Sequence, residues 1–329
     1  MESRKKDHID LAMRSQIKEA LLNKKFNYEP ALSAHPLENF PEQEFLGKKL
    51  SLPVWVSSMT GGTAQAKHIN SNLAKVCREF GMGMGLGSCR PLLEDKARFD
   101  DFNMRPLIGD KLPLLANLGI AQIEDLLETK AVDKLQEMIA LLQVDGLFVH
   151  LNPVQEYLQP EGDRIRFSPL ETLQRLLEKV DFPVFVKEVG QGIGPKSLEA
   201  LMDLELAGIE FGAFGGTNFA QMELMRSDES KQKLLGPLAT IGHTAEEMID
   251  YLNALPFAIM NDKNIIISGG VSDWLYGYYL IKKIKYQAVF GQASAFLHYA
   301  QGDYQQLYQY VLNLKAGLLF ADSYLTIRE

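Results

Sequence analysis

Eight short runs rich in apolar and β-branched residues recur along this 329-residue chain. Most lead through a polar or glycine-rich cluster into a helical pattern. In order they are Pro53–Ser57, Met82–Gly87, Leu114–Gly119, Leu147–Asn152, Pro183–Val189, Ile209–Phe214, Asn264–Gly270 and Gln287–Ala293. About 20–35 residues separate most neighbours, room for one helix and two short loops. Segments Ala64–Phe80, Gln122–Leu142, Leu170–Lys179 and Ser197–Ala207 repeat apolar residues at i, i+3 and i+4, the spacing of amphipathic helices. Eight parallel strands with intervening helices predict an α/β fold of the TIM (β/α)8 barrel kind. An open doubly wound sheet is the alternative. No run, however, leads into a G-x-G-x-x-G turn with an acidic residue about 20 positions on.

Two regions fall outside the repeat. Residues 1–50 precede the first run and hold a basic cluster, a helical stretch (Leu11–Leu22) and a proline-containing tail. They are expected to form an extension covering the barrel mouth, with 51–329 as the barrel itself. The segment Thr217–Lys263, between strands six and seven, is about twice as long as an ordinary connection, and a lid and a plain insertion are both open readings. The formal charge of −8 offers no excess of cations for sequence-independent nucleic-acid binding. No window approaches the ~20 apolar residues of a membrane helix, and the opening residues lack a signal peptide's apolar core. The two cysteines, Cys77 and Cys89, show no metal-ligand spacing and fit a reducing compartment. A cytoplasmic protein without nucleic-acid or membrane partners is expected.

In a TIM barrel the chemistry collects at the carboxyl ends of the strands. Here those ends carry Ser57-Ser58-Met59-Thr60-Gly61-Gly62, Gly87-Ser88-Cys89-Arg90, Asn117-Leu118-Gly119 and His150-Leu151-Asn152-Pro153-Val154-Gln155-Glu156. Lys187-Glu188, Gly215-Gly216-Thr217-Asn218, Ser268-Gly269-Gly270 and Gly291-Gln292-Ala293 follow. Polar residues and glycines in phase at every strand end point to a polar ligand site. Gly269-Gly270 and Gly291, after strands seven and eight, suit a phosphate held by backbone N–H groups, or serve loop geometry alone. Lys187 faces the barrel interior if Phe185 and Val189 do. There it either pairs with an acid or faces an electron-rich cofactor ring. His150 and Asn152 share one face, with Gln155 and Glu156 in the loop beyond, a set suited to Mg²⁺ with one protein carboxylate and substrate phosphates. Singly, His150 reads as a core histidine and Glu156 as a solvated helix-start charge. Arg4, Lys5, Lys6 and His8 form either a solvated end or, folded over the mouth, a diphosphate clamp. Cys89 reads as a gap-filling small residue rather than a nucleophile.

Taken together, Arg4-Lys5-x-x-His8, Met59-Thr60-Gly61-Gly62, Gly87-Ser88, Ala116-Asn117-Leu118-Gly119 and His150-Leu151-Asn152-x-x-Gln155-Glu156 occur in order. Gln159-Pro160-Glu161-Gly162-Asp163, Val186-Lys187-Glu188, Gly215-Gly216-Thr217-Asn218 and Ser268-Gly269-Gly270 complete the series. This resembles the type 2 isopentenyl-diphosphate isomerases, flavoproteins with a TIM-barrel fold, from residue 4 to about residue 295. The basic amino-terminal motif and the His-x-Asn-x-x-Gln-Glu string discriminate, because other FMN barrels share the glycine patterns but lack these. The resemblance implies FMN held by Ser58, Met59, Thr60, Ser88, Asn117, Lys187 and Thr217, with its phosphate at Gly269-Gly270 and Ala293-Ser294. It places a small-molecule diphosphate substrate against Arg4, Lys5, His8, Ser88, Arg90, His150, Asn152 and Gln155, with Mg²⁺ on Glu156. Lys187, His150 and Gln155 are the candidate catalytic residues. NADPH as the reductant of the flavin and a homo-oligomer (dimer, tetramer or octamer) are further implications. Two departures stand out: the family usually reads Gly-Ser-Gln-Arg where this chain has Gly87-Ser88-Cys89-Arg90, and several members have Ile-Arg in place of Val271-Ser272.

The expected reaction interconverts isopentenyl and dimethylallyl diphosphate by adding a proton at one carbon and removing one from another. An FMN-dependent oxidoreductase of the hydroxy-acid oxidase type is the alternative. It wants a strand-end histidine base with a nearby arginine, whereas the His150 cluster supplies carboxamides and a carboxylate. A flavin- or phosphate-binding protein without catalysis is the third reading, raised by Cys89.

Overall fold

The computed structural model describes residues 2–36, 38–58, 60–63, 65–256 and 263–328. Eight parallel strands close into a barrel: β1 (Val54–Val56), β2 (Gly83–Gly85), β3 (Leu114–Gly119), β4 (Gly146–Leu151), β5 (Val184–Glu188), β6 (Gly208–Glu210), β7 (Asn264–Ser268) and β8 (Ala288–Gln292). Each lies within or beside its expected run, and β8 hydrogen-bonds back to β1 to complete the ring. The TIM-barrel fold is thereby established.

The barrel's interior explains its glycines. Trp55, Phe148 and Phe185 are fully buried, with edge-to-face ring contacts between Trp55 and Phe148 and between Phe148 and Phe185. A Cβ on Gly83 would stand 2.1 Å from the Trp55 ring, and one on Gly208 would stand 2.4 Å from Phe185. Large rings on some strands therefore demand bare backbone on their neighbours, which is why β2 reads as Gly-Met-Gly. Each such ring contributes about 1.5–3 kcal/mol by leaving water.

A hairpin of Gln43–Phe45 and Lys48–Leu50 closes the amino-terminal end of the barrel. Its two turn residues, Leu46 and Gly47, have φ of 52° and 68°, the positive-φ pair of a tight hairpin. Phe45 enters the barrel and packs on Trp55 and Phe185, at ring separations of 5.3 and 6.0 Å. The Leu46 N–H donates to Asn264 Oδ1 at the start of β7. This part of the amino-terminal extension thus serves the end opposite the mouth.

The rest of the extension divides in two. Phe26–Tyr28 pairs antiparallel with Leu325–Ile327, and Lys25 reaches Glu246 at 2.5 Å while lying over the Tyr279 ring. Upstream, a helix spans Glu2–Leu11 and stops where the stretch Leu11–Leu22 was expected to begin one. Only Glu19–Leu21 of that stretch makes a helical turn. Met13, Ile17 and Leu21 are all exposed, so no tertiary burial supports a helix there. The expected helix Gln122–Leu142 is also two, Ile120–Glu128 and Asp133–Leu142, broken at Lys130 with φ 56°. The long connection between β6 and β7 carries helices Phe219–Met225, Glu229–Leu235 and Ala245–Asn253. No described helix is long and apolar enough to cross a membrane.

Candidate active site

Strand register sets the centre of the site. His150 on β4 pairs with Lys187 on β5, and Lys187 pairs with Glu210 on β6, so three polar side chains share one layer at the carboxyl end. Phe148 and Phe185 form the layer beneath, two residues back on the same faces. Lys187 and Glu210 are both buried, and the ammonium stands 3.8 Å from Glu210 Oε2. That carboxylate offsets the cost of a buried cation. Lys187 thus has its acid and also lines a cavity.

His150 Nδ1–H donates to Asn117 Oδ1 at 2.9 Å, leaving Nε2 as an acceptor. Removal from water, and then the nearby Lys187 charge, press its pKa down to about 3. It is a neutral imidazole at ordinary pH. Glu188 faces away from Lys187, and burial raises its pKa to about 7 against the N–H groups of Gly190, Gln191 and Gly192 that it accepts. It holds the loop after β5 in place.

Two cavities meet at this layer. The first, about 250 Å³, is lined by Ser57, Ser58, Lys187, Glu210 and Thr217, by residues 269–272 after β7, and by residues 291–295 at the end of β8 and just beyond it. Among the described residues, Ser57 Oγ, Ser58 Oγ and Glu210 Oε2 are buried without a hydrogen-bond partner. Buried polar atoms in native proteins are seldom left so, and all three belong to residues lining this cavity. Gly269 and Gly270 have φ of 83° and 67°, and a Cβ on either would strike the backbone of Ala213 or Phe214. Of the residues expected at the flavin, Ser58, Lys187, Thr217, Gly269, Gly270, Ala293 and Ser294 line this cavity. Thr60 does not; its hydroxyl bonds Asn70 Oδ1. Met59 lies outside the described residues.

The second cavity, about 220 Å³, shares Ser58, Lys187, Val189 and Phe219 with the first. It gathers Ser88, Arg90, Asn117, His150, Asn152, Gln155 and Glu156. Pro153 starts a short helix, Pro153–Leu158, that turns Gln155 and Glu156 back toward Asn152. Asn152 Nδ2 bonds Gln155 Oε1 at 3.1 Å and Glu156 Oε1 at 2.8 Å, and its own Oδ1 is buried and unpartnered. No group of three or more His, Cys, Asp or Glu side chains able to hold a metal lies among the described residues. Arg4, Lys5 and His8 lie on the exposed Glu2–Leu11 helix and line neither cavity.

Three site residues escaped sequence reasoning. Glu210 reads as part of an apolar strand until register puts it beside Lys187. Glu223, on the helix capped by Asn218, is buried, accepts from Gln155 Nε2 at 3.5 Å and is held by Arg226 at 2.8 Å. Gln122 is buried beneath the second cavity and bonds Asp163 Oδ2. The thiol of Cys89 is buried and its pKa pushed up to about 12, so it supplies no nucleophile.

A larger cleft, about 1250 Å³, opens at the other end of the barrel. Of the five lysines and arginines that line it, Lys48 and Arg105 pair with Asp145, at 2.5 and 2.8 Å. That face of a TIM barrel serves stability rather than chemistry.

No protein-family model matches the chain. Among solved structures it is similar to a flavocytochrome b2 mutant with pyruvate bound, with a TM-score of 0.62 and 14% identity over 90% of this chain and 70% of that one. It is also similar to a mandelate oxidase mutant with a monooxide FMN adduct, with a TM-score of 0.56 and 13% identity over 93% of this chain and 88% of that one. At such identities the likeness is one of fold. Sequence relatives say more. The isopentenyl-diphosphate delta-isomerase of Pseudescherichia vulneris is 34% identical over 305 residues, 89% of this chain and 84% of that protein. That of Rickettsia rickettsii (strain Sheila Smith) is 33% identical over 317 residues, 93% of this chain and 88% of that protein. With this identity sustained across nearly its whole length, the chain belongs to the isopentenyl-diphosphate delta-isomerase family.

Proposed function

We propose that this protein interconverts isopentenyl diphosphate and dimethylallyl diphosphate with FMN and Mg²⁺, as a type 2 enzyme. The observation that carries the reading is the pair of cavities joined at Lys187. One is glycine-cradled with orphaned hydroxyls; the other is polar, with one arginine and one available carboxylate.

The first cavity fits FMN. Ser57 and Ser58 offer free hydroxyls, Thr217 a third, and the backbone at Gly269-Gly270 and Ala293-Ser294 a place for the phosphate. Ser88 and Asn117, which line the second cavity, belong to the proposed flavin set with Met59, whereas Thr60 lines neither cavity and bonds Asn70. Once reduced, with NADPH as the proposed reductant, a flavin held by these residues would supply electron-rich, proton-exchanging chemistry for the double-bond shift. Lys187 would stabilise negative charge on such a ring, and Glu210 keeps the lysine's own charge balanced when the site is dry.

The second cavity suits the diphosphate. Arg90 and Ser88 would bind its oxygens and Glu156 would hold the Mg²⁺ that neutralises it, while Asn152 aims Gln155 and Glu156. Arg4, Lys5 and His8, which line neither cavity here, are proposed to add their charge to the anion site once substrate is bound. Val189 and Phe219, which line both cavities, give the hydrocarbon chain an apolar wall that excludes water. Remote binding energy at the diphosphate then holds the alkene in position. His150 acts as a neutral hydrogen-bonding group, and Gln155 with Glu223 behind it orients the reacting end.

The same neutral His150 disfavours the hydroxy-acid oxidase reading. A base held near pKa 3 is a poor acceptor for a substrate proton. We further propose a cytoplasmic homo-oligomer. The test is deuterium uptake from D₂O into isopentenyl diphosphate. Uptake that appears only after flavin reduction, and that Glu156→Gln reduces severely together with its magnesium dependence, is the expected result. Uptake with oxidised flavin alone, or substrate-dependent bleaching of the flavin without uptake, overturns the proposal.

A further inference from the structure

Asp163 bonds three residues that line the second cavity, Arg90, Gln122 and Glu156, in a way the proposed reaction does not use. Its carboxylate Oδ2 accepts from Arg90 Nη1 at 2.7 Å and from Gln122 Nε2 at 2.7 Å. Its backbone N–H donates to Glu156 Oε2, also at 2.7 Å. Glu156 Oε1 is meanwhile held by Asn152. One residue thus engages the cation proposed for the diphosphate and the anion proposed for the metal.

Local geometry builds this contact rather than allowing it by chance. The chain leaves the Pro153–Leu158 helix, turns through Gln159-Pro160-Glu161-Gly162, and returns onto it. Gly162 N–H bonds Gln159 O at 3.1 Å. A Cβ on Gly162 would sit 2.0 Å from the Glu156 carbonyl oxygen, so only a bare α-carbon lets the loop come so close. Gln122, which fixes the Asp163 carboxylate, is itself buried and anchored through Gly119 N–H at 3.1 Å.

We propose that Asp163 is a resident stand-in for the substrate's metal–diphosphate group, a positioning residue that keeps Arg90 and Glu156 apart and aligned until the substrate displaces it. This rests on the diphosphate reading of the second cavity. A carboxylate on the arginine competes with phosphate for the same fork of N–H donors. The Asp163 charge also repels any incoming anion, which narrows the site to ligands carrying enough charge, or a cation, to exchange for it. The Arg90 and Asp163 side chains are 51% and 27% exposed, so the pair is weak enough to open.

The experiment titrates inorganic pyrophosphate into the full-length flavin-loaded protein by calorimetry in magnesium-free buffer. Asp163→Asn and Asp163→Ala both remove the competing charge and keep the backbone N–H on Glu156. Each is expected to bind pyrophosphate roughly three- to tenfold more tightly than wild type. Arg90→Gln added to either is expected to abolish the gain. A merely structural role for Asp163 moves affinity the other way, since a loosened loop scatters the donors. Unchanged or weaker binding by both variants, with melting temperatures within a few degrees of wild type, overturns the inference while leaving the diphosphate site intact. Binding that ignores Arg90 in the wild-type and variant proteins alike overturns the diphosphate reading and the inference with it.

Discussion

Lys187 and Glu210 illustrate how a site can be costly and stable at once. Both are buried and their charged groups stand 3.8 Å apart, so each limits the desolvation cost of the other. Lys187→Met strands the carboxylate, and urea unfolding is expected to show a loss of about 3 kcal/mol, much of it recovered in the double variant with Glu210→Gln. Equal losses in the single and double variants would remove the pair from this role. His150 makes a pH-dependent contribution of defined sign. Its folded pKa lies near 3 and an unfolded histidine's near 6.5, so the unfolded chain takes up the proton first. The stability His150 contributes is complete above about pH 6.5 and is lost as pH falls toward 3. Glu188, raised to about 7, pulls the other way over much of that window. The comparison that isolates His150 is therefore with His150→Asn. Between pH 7 and pH 5 the wild type is expected to lose up to about 2 kcal/mol more than the variant, read from urea midpoints.

At the level of elements, the hairpin under the barrel and the loops above it answer to different demands. Phe45 plugs the end remote from the chemistry, so Phe45→Ala is expected to cost about 3–5 kcal/mol of stability while kcat and flavin content stay within twofold of wild type. A melt and a steady-state assay on the same preparation separate the two effects. This division also marks what the sequence could disclose. β3 was legible to the residue, because Leu114–Gly119 is apolar but for Asn117 and has a clear glycine stop. β6 was read four residues too long: Phe211–Phe214 keeps the apolar composition, but Gly212 at φ 52° turns the backbone out of the strand. The break at Lys130 was hidden because the apolar pattern continues in phase across it. Ser58, Asn152, Glu156 and Lys187 were visible because chemistry at a barrel mouth follows strand ends. Glu223 was not, because it returns to the site on a helix from a position with no strand-end signature, and Asp163 stood in a legible motif whose contacts only the loop reversal reveals.

The whole molecule separates its amino-terminal segment from its fold, and that separation is testable. Phe26–Tyr28 is stitched to the carboxy-terminal strand, and Lys25 is pinned to Glu246 and the Tyr279 ring. Upstream of these ties, Ile9, Met13, Ile17 and Leu21 are all more than two-thirds exposed, at 77%, 82%, 81% and 74%. Side chains so exposed add little to the hydrophobic term of folding. Deleting residues 1–22 is therefore expected to leave the melting temperature within about 2 °C of the full chain. The same deletion removes Arg4, Lys5 and His8, three groups proposed for the diphosphate. Charge-assisted bonds to an anion are among the stronger polar contacts, and every 1.4 kcal/mol is about a factor of ten in affinity. The KM for isopentenyl diphosphate is thus expected to rise at least about tenfold, with bound FMN unchanged because the flavin cavity takes no residue from this segment. An unaltered KM would strike these three residues from the substrate site and leave Arg90 and Glu156 to hold the diphosphate alone. A collapse of the melting temperature would instead show that the segment is packed in solution and belongs to the fold.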